Sequence, residues 1–104
     1  MTPLVSAVVL NWRNAPDTIS CLASLSRQSY PHHVIVVDNA SQDDSVRRIR
    51  AAYPDVEILE TTANLGYAGG NNVGIRYALG QGADYVFVVN NDATLAPTCL
   101  GELI

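Results

Sequence analysis

The stretch Tyr85-Val86-Phe87-Val88-Val89-Asn90-Asn91-Asp92 decides the fold class of this chain. Five apolar residues run without a break and then give way to two amides and a carboxylate. Such a run indicates a strand that is buried on both faces, as in a parallel sheet. Ligands of open α/β sheets bind outside the carboxyl ends of the strands, so Asp92 is the first candidate for chemistry. A plain turn at residues 90–92 is an equal alternative at this point, because Asn and Asp favour turns.

The composition is that of a single globular domain. The chain has 104 residues, of which 48% are hydrophobic and 15% charged, and this balance excludes a disordered chain. The net charge is −4, and all six basic residues are arginines that are scattered apart from Arg47, Arg48 and Arg50. An acidic chain without a basic stripe argues against nucleic acid as a partner.

The sequence also bears on the cellular location. No apolar stretch is long enough to span a bilayer, and the N-terminus lacks the charged and apolar regions of a signal peptide. Cys21 and Cys99 lie far apart, without metal-like or redox spacing. We therefore expect two buried thiols in a reducing compartment and a cytoplasmic protein.

Strands and helices alternate along the whole chain. Apolar runs predict strands at residues 4–10, 34–37, 56–59 and 85–89. The helices that follow them are expected to begin at Asn14 or Ala15, at the capping-box-like Ser41-Gln42-Asp43-Asp44, at about Asn71, and at Pro97. The third helix should close at Gly80, and Gly74 inside it should pack closely on the sheet. This alternation predicts an α/β fold with a parallel sheet and right-handed crossovers.

Polar side chains follow three of the four predicted strands. Asn11 follows the first strand, Asp38 the second, and Asn90 to Asp92 the fourth. The carboxyl ends of parallel strands share one edge, so we expect these side chains to converge there. Asp38 could accept hydrogen bonds from the N–H donor of a base or from sugar hydroxyls, or it could form an Asx-turn. Trp12, at the same edge, could stack on a base or pack against the sheet end.

A segment rich in glycine and asparagine, residues 61–72, is predicted as a loop that leads into the third helix. Its glycines would allow a phosphate to approach the backbone, although a purely structural loop is as good an interpretation. Asp92 could hold Mg²⁺ or Mn²⁺, and a single carboxylate needs substrate phosphates to complete such a site. Metal binding should therefore depend on a bound diphosphate.

Five stretches, in this order, resemble a known family. They are Val8-Val9-Leu10-Asn11-Trp12, Cys21-Leu22-Ala23-Ser24-Leu25, Val36-Val37-Asp38-Asn39-Ala40-Ser41-Gln42-Asp43, Asn64-Leu65-Gly66-Tyr67-Ala68-Gly69-Gly70-Asn71-Asn72-Val73-Gly74-Ile75 and Val88-Val89-Asn90-Asn91-Asp92. The chain resembles the N-terminal, donor-binding half of a family 2 inverting glycosyltransferase with the GT-A fold. It is most similar to the bacterial rhamnosyltransferase-like members that build cell-wall and surface polysaccharide.

The resemblance implies a Rossmann-like three-layer α/β sandwich with strand order 3-2-1-4 and helices on both faces of a mainly parallel sheet. Residues 1–104 would form the donor-binding half of this GT-A domain, and the ligand would be a dTDP- or UDP-linked sugar. The metal would be a divalent cation, Mg²⁺ or Mn²⁺, held by Asp92 on the donor diphosphate. The nucleotide-binding residues implied by the resemblance are Asn11, Trp12, Asp38, Asn64, Gly66, Gly70, Asn71, Asn72, Asn90 and Asn91.

Three positions depart from the pattern of the family. Asn90 replaces the first acid of the Asp-x-Asp motif, and Asn71 stands where many members have a basic residue. Arg13 replaces an Asn that is common after the aromatic residue, and the sequence assigns it no role.

The family's second half, with the acceptor site and the catalytic base, is absent from these residues. The resemblance therefore implies that the chain has no catalytic residue of its own and binds a donor without transferring sugar. The outer edge of the strand over Tyr85–Asn90 would be unpaired, so we expect self-association there. Peripheral membrane association is expected only of a full-length protein. The alternatives are a non-catalytic nucleotide-binding or assembly module and a nucleotidyltransferase-like domain.

Overall fold

The computed structural model describes residues 3–104 and contains one four-stranded parallel sheet. The strands are β1 (Val5–Asn11), β2 (His33–Asp38), β3 (Glu57–Glu60) and β4 (Tyr85–Val89). The helices are α1 (Ala15–Ser26), α2 (Ser45–Ala52), α3 (Gly66–Gly80) and α4 (Cys99–Leu103). The strand order is β3-β2-β1-β4, which confirms the order that the resemblance implies.

The register of the sheet aligns the strand ends that carry polar side chains. Asn11 at the end of β1 pairs with Asp38 at the end of β2. On the other side of β1, Val9 pairs with Val89, the last residue of β4. The strand ends therefore lie side by side along one edge, as predicted, while His33 begins β2 at the opposite edge.

Helices cover both faces of the sheet. Val9 and Val36 point toward α1 and α2, where they pack in one buried cluster with Leu25 and Ile49. Val8 and Val37 point to the other face, where α3 covers them. Successive β-branched residues alternate between the two faces because side chains in a strand have a period of two. The predicted three-layer sandwich is confirmed.

Gly74 explains how closely α3 approaches the sheet. A Cβ atom at this position would lie 2.5 Å from Val8 Cγ1 and 2.9 Å from Val37 Cγ2. No side chain fits there unless Val8 or Val37 moves. The predicted close packing of Gly74 is confirmed.

Three predicted helix starts are wrong, and the smallest difference is that of α4, which begins at Cys99 and not at Pro97. The stretch predicted as a loop is helical from Gly66, because α3 begins there and not at Asn71. Helix α2 begins at Ser45, not at Ser41, because the Ser41 hydroxyl is engaged by Asp38 and the Asp43 carboxylate accepts the Ser45 N–H at 2.8 Å.

The predicted burial of β4 on both faces is also wrong. β4 is an edge strand in which Tyr85 is 43% and Val88 42% exposed, and only Val89 is buried. Cys21 is buried as expected, whereas Cys99, the first residue of α4, is only half-buried. In residues 3–104, no helix combines the length and the apolar character that a membrane span requires.

Candidate functional site

Asp38 is buried at the end of β2, where its carboxylate accepts three hydrogen bonds. Its Oδ1 accepts from Asn11 Nδ2 at 2.9 Å and from Ser41 Oγ at 2.6 Å. Its Oδ2 accepts the backbone N–H of Ser41 at 3.2 Å, which is the Asx-turn that the sequence left open. A carboxylate oxygen can accept more than one hydrogen bond, so Oδ2 keeps acceptor capacity for a further donor.

Asn11 supports Asp38 from below. Its side chain is fully buried, and its Oδ1 accepts from Thr18 Oγ1 at 2.6 Å while its Nδ2 donates to Asp38. The structure places Asn11 behind the open surface, so its contribution is to orient the Asp38 carboxylate.

Arg13, to which the sequence assigned no role, connects the ends of β1 and β2. Its backbone N–H donates to Ser41 Oγ and its Nε to the Ser41 carbonyl oxygen, each at 2.8 Å. Its guanidinium carbon lies 5.0 Å from the centroid of the Trp12 ring, within cation–π distance. The φ angle of Arg13 is 51°, a left-handed conformation that favours glycine, and these contacts offset its cost. Arg13 therefore fixes one side of the 47% exposed Trp12 ring.

An open cleft of about 390 Å³ lies between the ends of β1 and β4. The hydroxyl of Tyr67, in the first turn of α3, donates to Asn90 Oδ1 at 2.5 Å across this cleft. The cleft brings together Trp12 and all three polar residues after β4; its lining is Leu10, Trp12, Asn14, Tyr67, Val89, Asn90, Asn91 and Asp92.

The buried Asn39 organises the segment between β3 and α3, a role that its place in the sequence did not indicate. Its Nδ2 donates to Asn64 Oδ1 and to the Gly66 carbonyl oxygen, both at 3.1 Å. Its Oδ1 accepts the Leu65 N–H at 2.9 Å. Asn64 and Gly66 thus lie at the β2–β3 side of the edge, outside the cleft. Gly70 is buried beside them, since a Cβ there would meet Leu10 and Asn39.

Asn71 and Asn72 lie in the first half of α3, and their environments differ. Asn72 is exposed. Asn71 is only 4% exposed, and neither its Nδ2 nor its Oδ1 has a hydrogen-bond partner among residues 3–104. A buried, unpaired amide costs about 1–3 kcal/mol, which marks Asn71 as a group that lacks a partner in this state.

The oxygen donors around Asp92 fit a hard divalent cation that takes most of its ligands from elsewhere. Asp92 is exposed, and the amides of Asn90 and Asn91 precede it in the same cleft. Residues 3–104 contain no group of three or more His, Cys, Asp or Glu side chains placed to hold a metal. One carboxylate with amide oxygens suits Mg²⁺ or Mn²⁺ only if a diphosphate and water complete the shell.

Beneath the turn that carries Asp92 lies the thiol of Cys21. Burial, and secondarily the charge of Asp92, raise the pKa of Cys21 to about 11. Its Sγ donates to the Asn90 carbonyl oxygen at 3.6 Å. Cys21 is therefore a neutral donor that supports the β4 turn.

A polar stripe, which we call the α1 stripe, consists of Thr18, Cys21 and Ser24 on α1 and of Gln28 just after the helix. Ser24 Oγ accepts the Leu95 N–H at 2.5 Å, and Gln28 Nε2 donates to the Ala96 carbonyl oxygen at 2.6 Å. The α1 stripe thereby holds the chain that follows β4. The three- and four-residue spacing of these side chains is the sequence signal that could have revealed it.

Comparison with known proteins gives the family of this site. A family model described as glycosyl transferase family 2 matches residues 6–104. The chain belongs to glycosyl transferase family 2. This confirms the resemblance that the five sequence stretches carry.

Two curated glycosyltransferases are similar to this chain over most of its length. The galactofuranosyltransferase GlfT1 of Mycobacterium tuberculosis (strain H37Rv) is 41% identical over 95 residues, which are 88% of this chain and 31% of that protein. The N-acetylglucosaminyl-diphospho-decaprenol L-rhamnosyltransferase of the same strain is 32% identical and is matched by 100% of this chain over 37% of its own length. The chain thus spans about a third of these glycosyltransferases.

A solved mannosyltransferase has the same fold. The mannosyltransferase PcManGT of Pyrobaculum calidifontis, in complex with GDP-Man and Mn²⁺, superposes with a TM-score of 0.78 and 30% identity. The match covers 93% of this chain and 30% of that one. This similarity confirms the GT-A architecture of the four strands.

Proposed function

We propose that this chain is the donor-binding part of a glycosyltransferase that takes its sugar from a nucleoside-diphosphate sugar. The observation that carries the proposal is the cleft at the ends of β1 and β4, which joins the exposed Trp12 ring to the polar turn from Asn90 to Asp92. An aromatic face suits a base, and oxygen ligands beside it suit a cation on a diphosphate.

The base of the nucleotide is proposed to lie between Trp12 and Asp38. Trp12 offers the ring face that Arg13 does not cover, and Asp38 Oδ2 can accept one more hydrogen bond. Uracil and thymine each present a ring N–H from which Asp38 could accept a hydrogen bond, so this contact fits UDP or dTDP; guanine also has a ring N–H. Because PcManGT was solved with GDP-Man, GDP is the natural comparison ligand.

The diphosphate is proposed to lie at Asp92, with the amides of Asn90 and Asn91 as further polar contacts. Asp92 would hold Mg²⁺ or Mn²⁺ on the diphosphate; when bound, such a cation neutralises charge on a departing nucleoside diphosphate as a Lewis acid. The Mn²⁺ in the PcManGT complex supports a divalent cation of this kind.

The first half of α3 and the segment before it are proposed to close over the nucleotide. Asn64 and Gly66 are held in place by Asn39, and Gly70 keeps α3 close to β1. The unpaired amide of Asn71 would gain a partner in the donor, and Asn72 lies next to it on the exposed side.

The acceptor is proposed to be a saccharide or a lipid-linked saccharide of the cell envelope. The diphospho-decaprenol in the name of the M. tuberculosis rhamnosyltransferase supports a lipid-linked acceptor. The general base would lie in the part of the relatives that this chain does not match, so the 104-residue chain should bind a donor without transferring its sugar. The proposed location is the cytoplasm, which agrees with two free cysteines, and membrane association is proposed only for a longer protein.

Calorimetric titration of UDP, dTDP and GDP, with and without Mn²⁺, tests this function. We expect Mn²⁺ to lower the Kd of a pyrimidine nucleoside diphosphate by about tenfold or more, and Asp92→Asn to remove this effect. Asp55→Asn is the matched control, because Asp55 is an exposed carboxylate before β3, away from the cleft. Trp12→Ala should weaken binding by about 1–3 kcal/mol through lost stacking. Equal dependence on Mn²⁺ in Asp92→Asn and in the native chain would contradict the assignment of Asp92.

A non-catalytic nucleotide-binding module is the second candidate, because the chain spans only about a third of its relatives. The family match favours either of these functions over a nucleotidyltransferase-like domain. Both candidates expect the 104-residue chain to bind without transferring sugar, so robust turnover in a sugar-transfer assay would exclude the module and would also contradict the inactivity expected of the donor-binding part.

A further inference from the structure

One continuous chain of hydrogen bonds, partly buried at Asn91 and buried from Thr18 onward, connects the turn after β4 with the end of β2. Asn91 Nδ2 donates to Thr18 Oγ1 at 3.3 Å, and Thr18 Oγ1 donates to Asn11 Oδ1 at 2.6 Å. Asn11 Nδ2 then donates to Asp38 Oδ1 at 2.9 Å. Every donor in this series points toward the Asp38 carboxylate, so the bonds polarise one another in one direction.

Thr18 occupies the only position of this series that lies on a helix. Its side chain is fully buried in the first half of α1, between the ends of β1 and β4. A hydroxyl has a single proton, and that of Thr18 is used toward Asn11. Asn91 Nδ2 donates to a lone pair of the same hydroxyl oxygen. Removal of the hydroxyl therefore breaks both hydrogen bonds.

We infer that Thr18 is a positioning residue that couples the two ends of the donor site. On one side it orients Asn11, and through it Asp38, at the proposed base end; on the other it holds Asn91, next to Asp92, at the proposed diphosphate end. This inference rests on the proposed function. Its consequence is that the gain in nucleotide affinity from the divalent cation depends on the Thr18 hydroxyl, although Thr18 touches neither ligand.

A purely structural role makes a different prediction. The α1 stripe also contains Ser24, whose hydroxyl is equally buried and bonds to Leu95, beyond the site. Loss of either hydroxyl should destabilise the fold. Only loss of the Thr18 hydroxyl should change how strongly Mn²⁺ and UDP favour each other's binding.

The experiment measures the Kd of UDP with and without Mn²⁺ for the native chain and for Thr18→Val, Thr18→Ser and Ser24→Ala. Valine keeps the shape of threonine and removes its hydroxyl, whereas serine keeps the hydroxyl. We expect the factor by which Mn²⁺ tightens UDP to fall about fivefold in Thr18→Val and to stay native in the other two variants. In ligand-free NMR spectra, the side-chain amide signals of Asn11 and Asn91 should shift together in Thr18→Val but not in Ser24→Ala.

The outcomes distinguish this inference from the proposed function. Suppose that Mn²⁺ clearly lowers the Kd of UDP in the native chain and lowers it by the same factor in Thr18→Val. This result overturns the coupling and leaves the proposed function intact. Weaker UDP binding in Thr18→Val by the same factor with and without Mn²⁺ also overturns it, because that is the mark of a structural role. If the native chain binds no nucleoside diphosphate, both the proposed function and the coupling are overturned.

Discussion

At Gly74, the addition of a single methyl group should destabilise the fold. Alanine there would force Val8 or Val37 to move, since its Cβ would lie 2.5 Å from Val8 Cγ1. We expect Gly74→Ala to lower the free energy of unfolding in urea by about 1–3 kcal/mol. Gly80→Ala is the control, because a Cβ at this last residue of α3 meets no atom within 4 Å and should change the free energy of unfolding by no more than about 0.5 kcal/mol. Equal stabilities for the two variants would contradict the close packing of α3.

The thiol of Cys21 should make stability depend on alkaline pH. Its pKa is about 11 in the folded chain, so between pH 9 and 11 the unfolded chain loses this proton while the folded chain keeps it. The stabilisation is therefore complete below pH 9 and is lost as the pH rises toward 11, by on the order of 2 kcal/mol. Urea unfolding at a series of pH values should show this loss in the native chain and in Cys99→Ala. The same loss in Cys21→Ala would show that another group is responsible.

Among the elements, the strands follow directly from local sequence, and the start of α3 does not. Runs such as Val34-Ile35-Val36-Val37 leave few alternatives to a buried strand, and their order along the chain predicts a parallel sheet. Gly66, Gly69 and Gly70 argue for a loop by propensity alone. They are helical because tertiary contacts outweigh local propensity. Asn39 fixes the segment before the helix, and the absence of a side chain at Gly70 lets α3 approach Leu10.

In the candidate site, too, features that follow from local sequence and topology could be predicted, and those that depend on tertiary contacts could not. The convergence of Asn11, Asp38 and Asp92 at one edge follows from parallel topology and could be predicted. The α1 stripe was missed because Thr18 and Ser24 in an amphipathic helix suggest a solvated face. They are buried because the chain after β4 lies on that face and uses their hydroxyls.

Asn39 should determine where α3 begins. Asn39→Ala removes the acceptor of the Leu65 N–H and both donations to Asn64 and the Gly66 carbonyl. We expect a loss of about 2–3 kcal/mol in unfolding free energy, and faster amide hydrogen exchange confined to the first turns of α3. Asn72→Ala, at an exposed position of the same helix, should leave exchange at Leu65 unchanged. Native exchange at Leu65 in Asn39→Ala would count against this role.

At the scale of the whole molecule, the open side of β4 is the surface most in need of a partner. β4 pairs only with β1 among the described strands, and its Val88 side chain is 42% exposed. An open, largely apolar cleft of about 450 Å³ runs beside it, with Phe87, Leu95 and Leu103 in its lining. Unpaired backbone groups next to apolar surface favour strand addition.

In a preparation that contains only this chain, the partner available to β4 is a second copy. Two copies related by a twofold axis would pair their β4 strands antiparallel and cover both clefts with one self-complementary contact. We therefore expect dimers by light scattering at the concentrations used for crystallisation, and monomers for Val88→Lys, which places a charge on the pairing edge. Leu79→Lys is the matched control, because Leu79 is 57% exposed on α3 and should leave the dimer intact. A native chain that stays monomeric under these conditions, or a Val88→Lys variant that still dimerises, would show that β4 is not the contact.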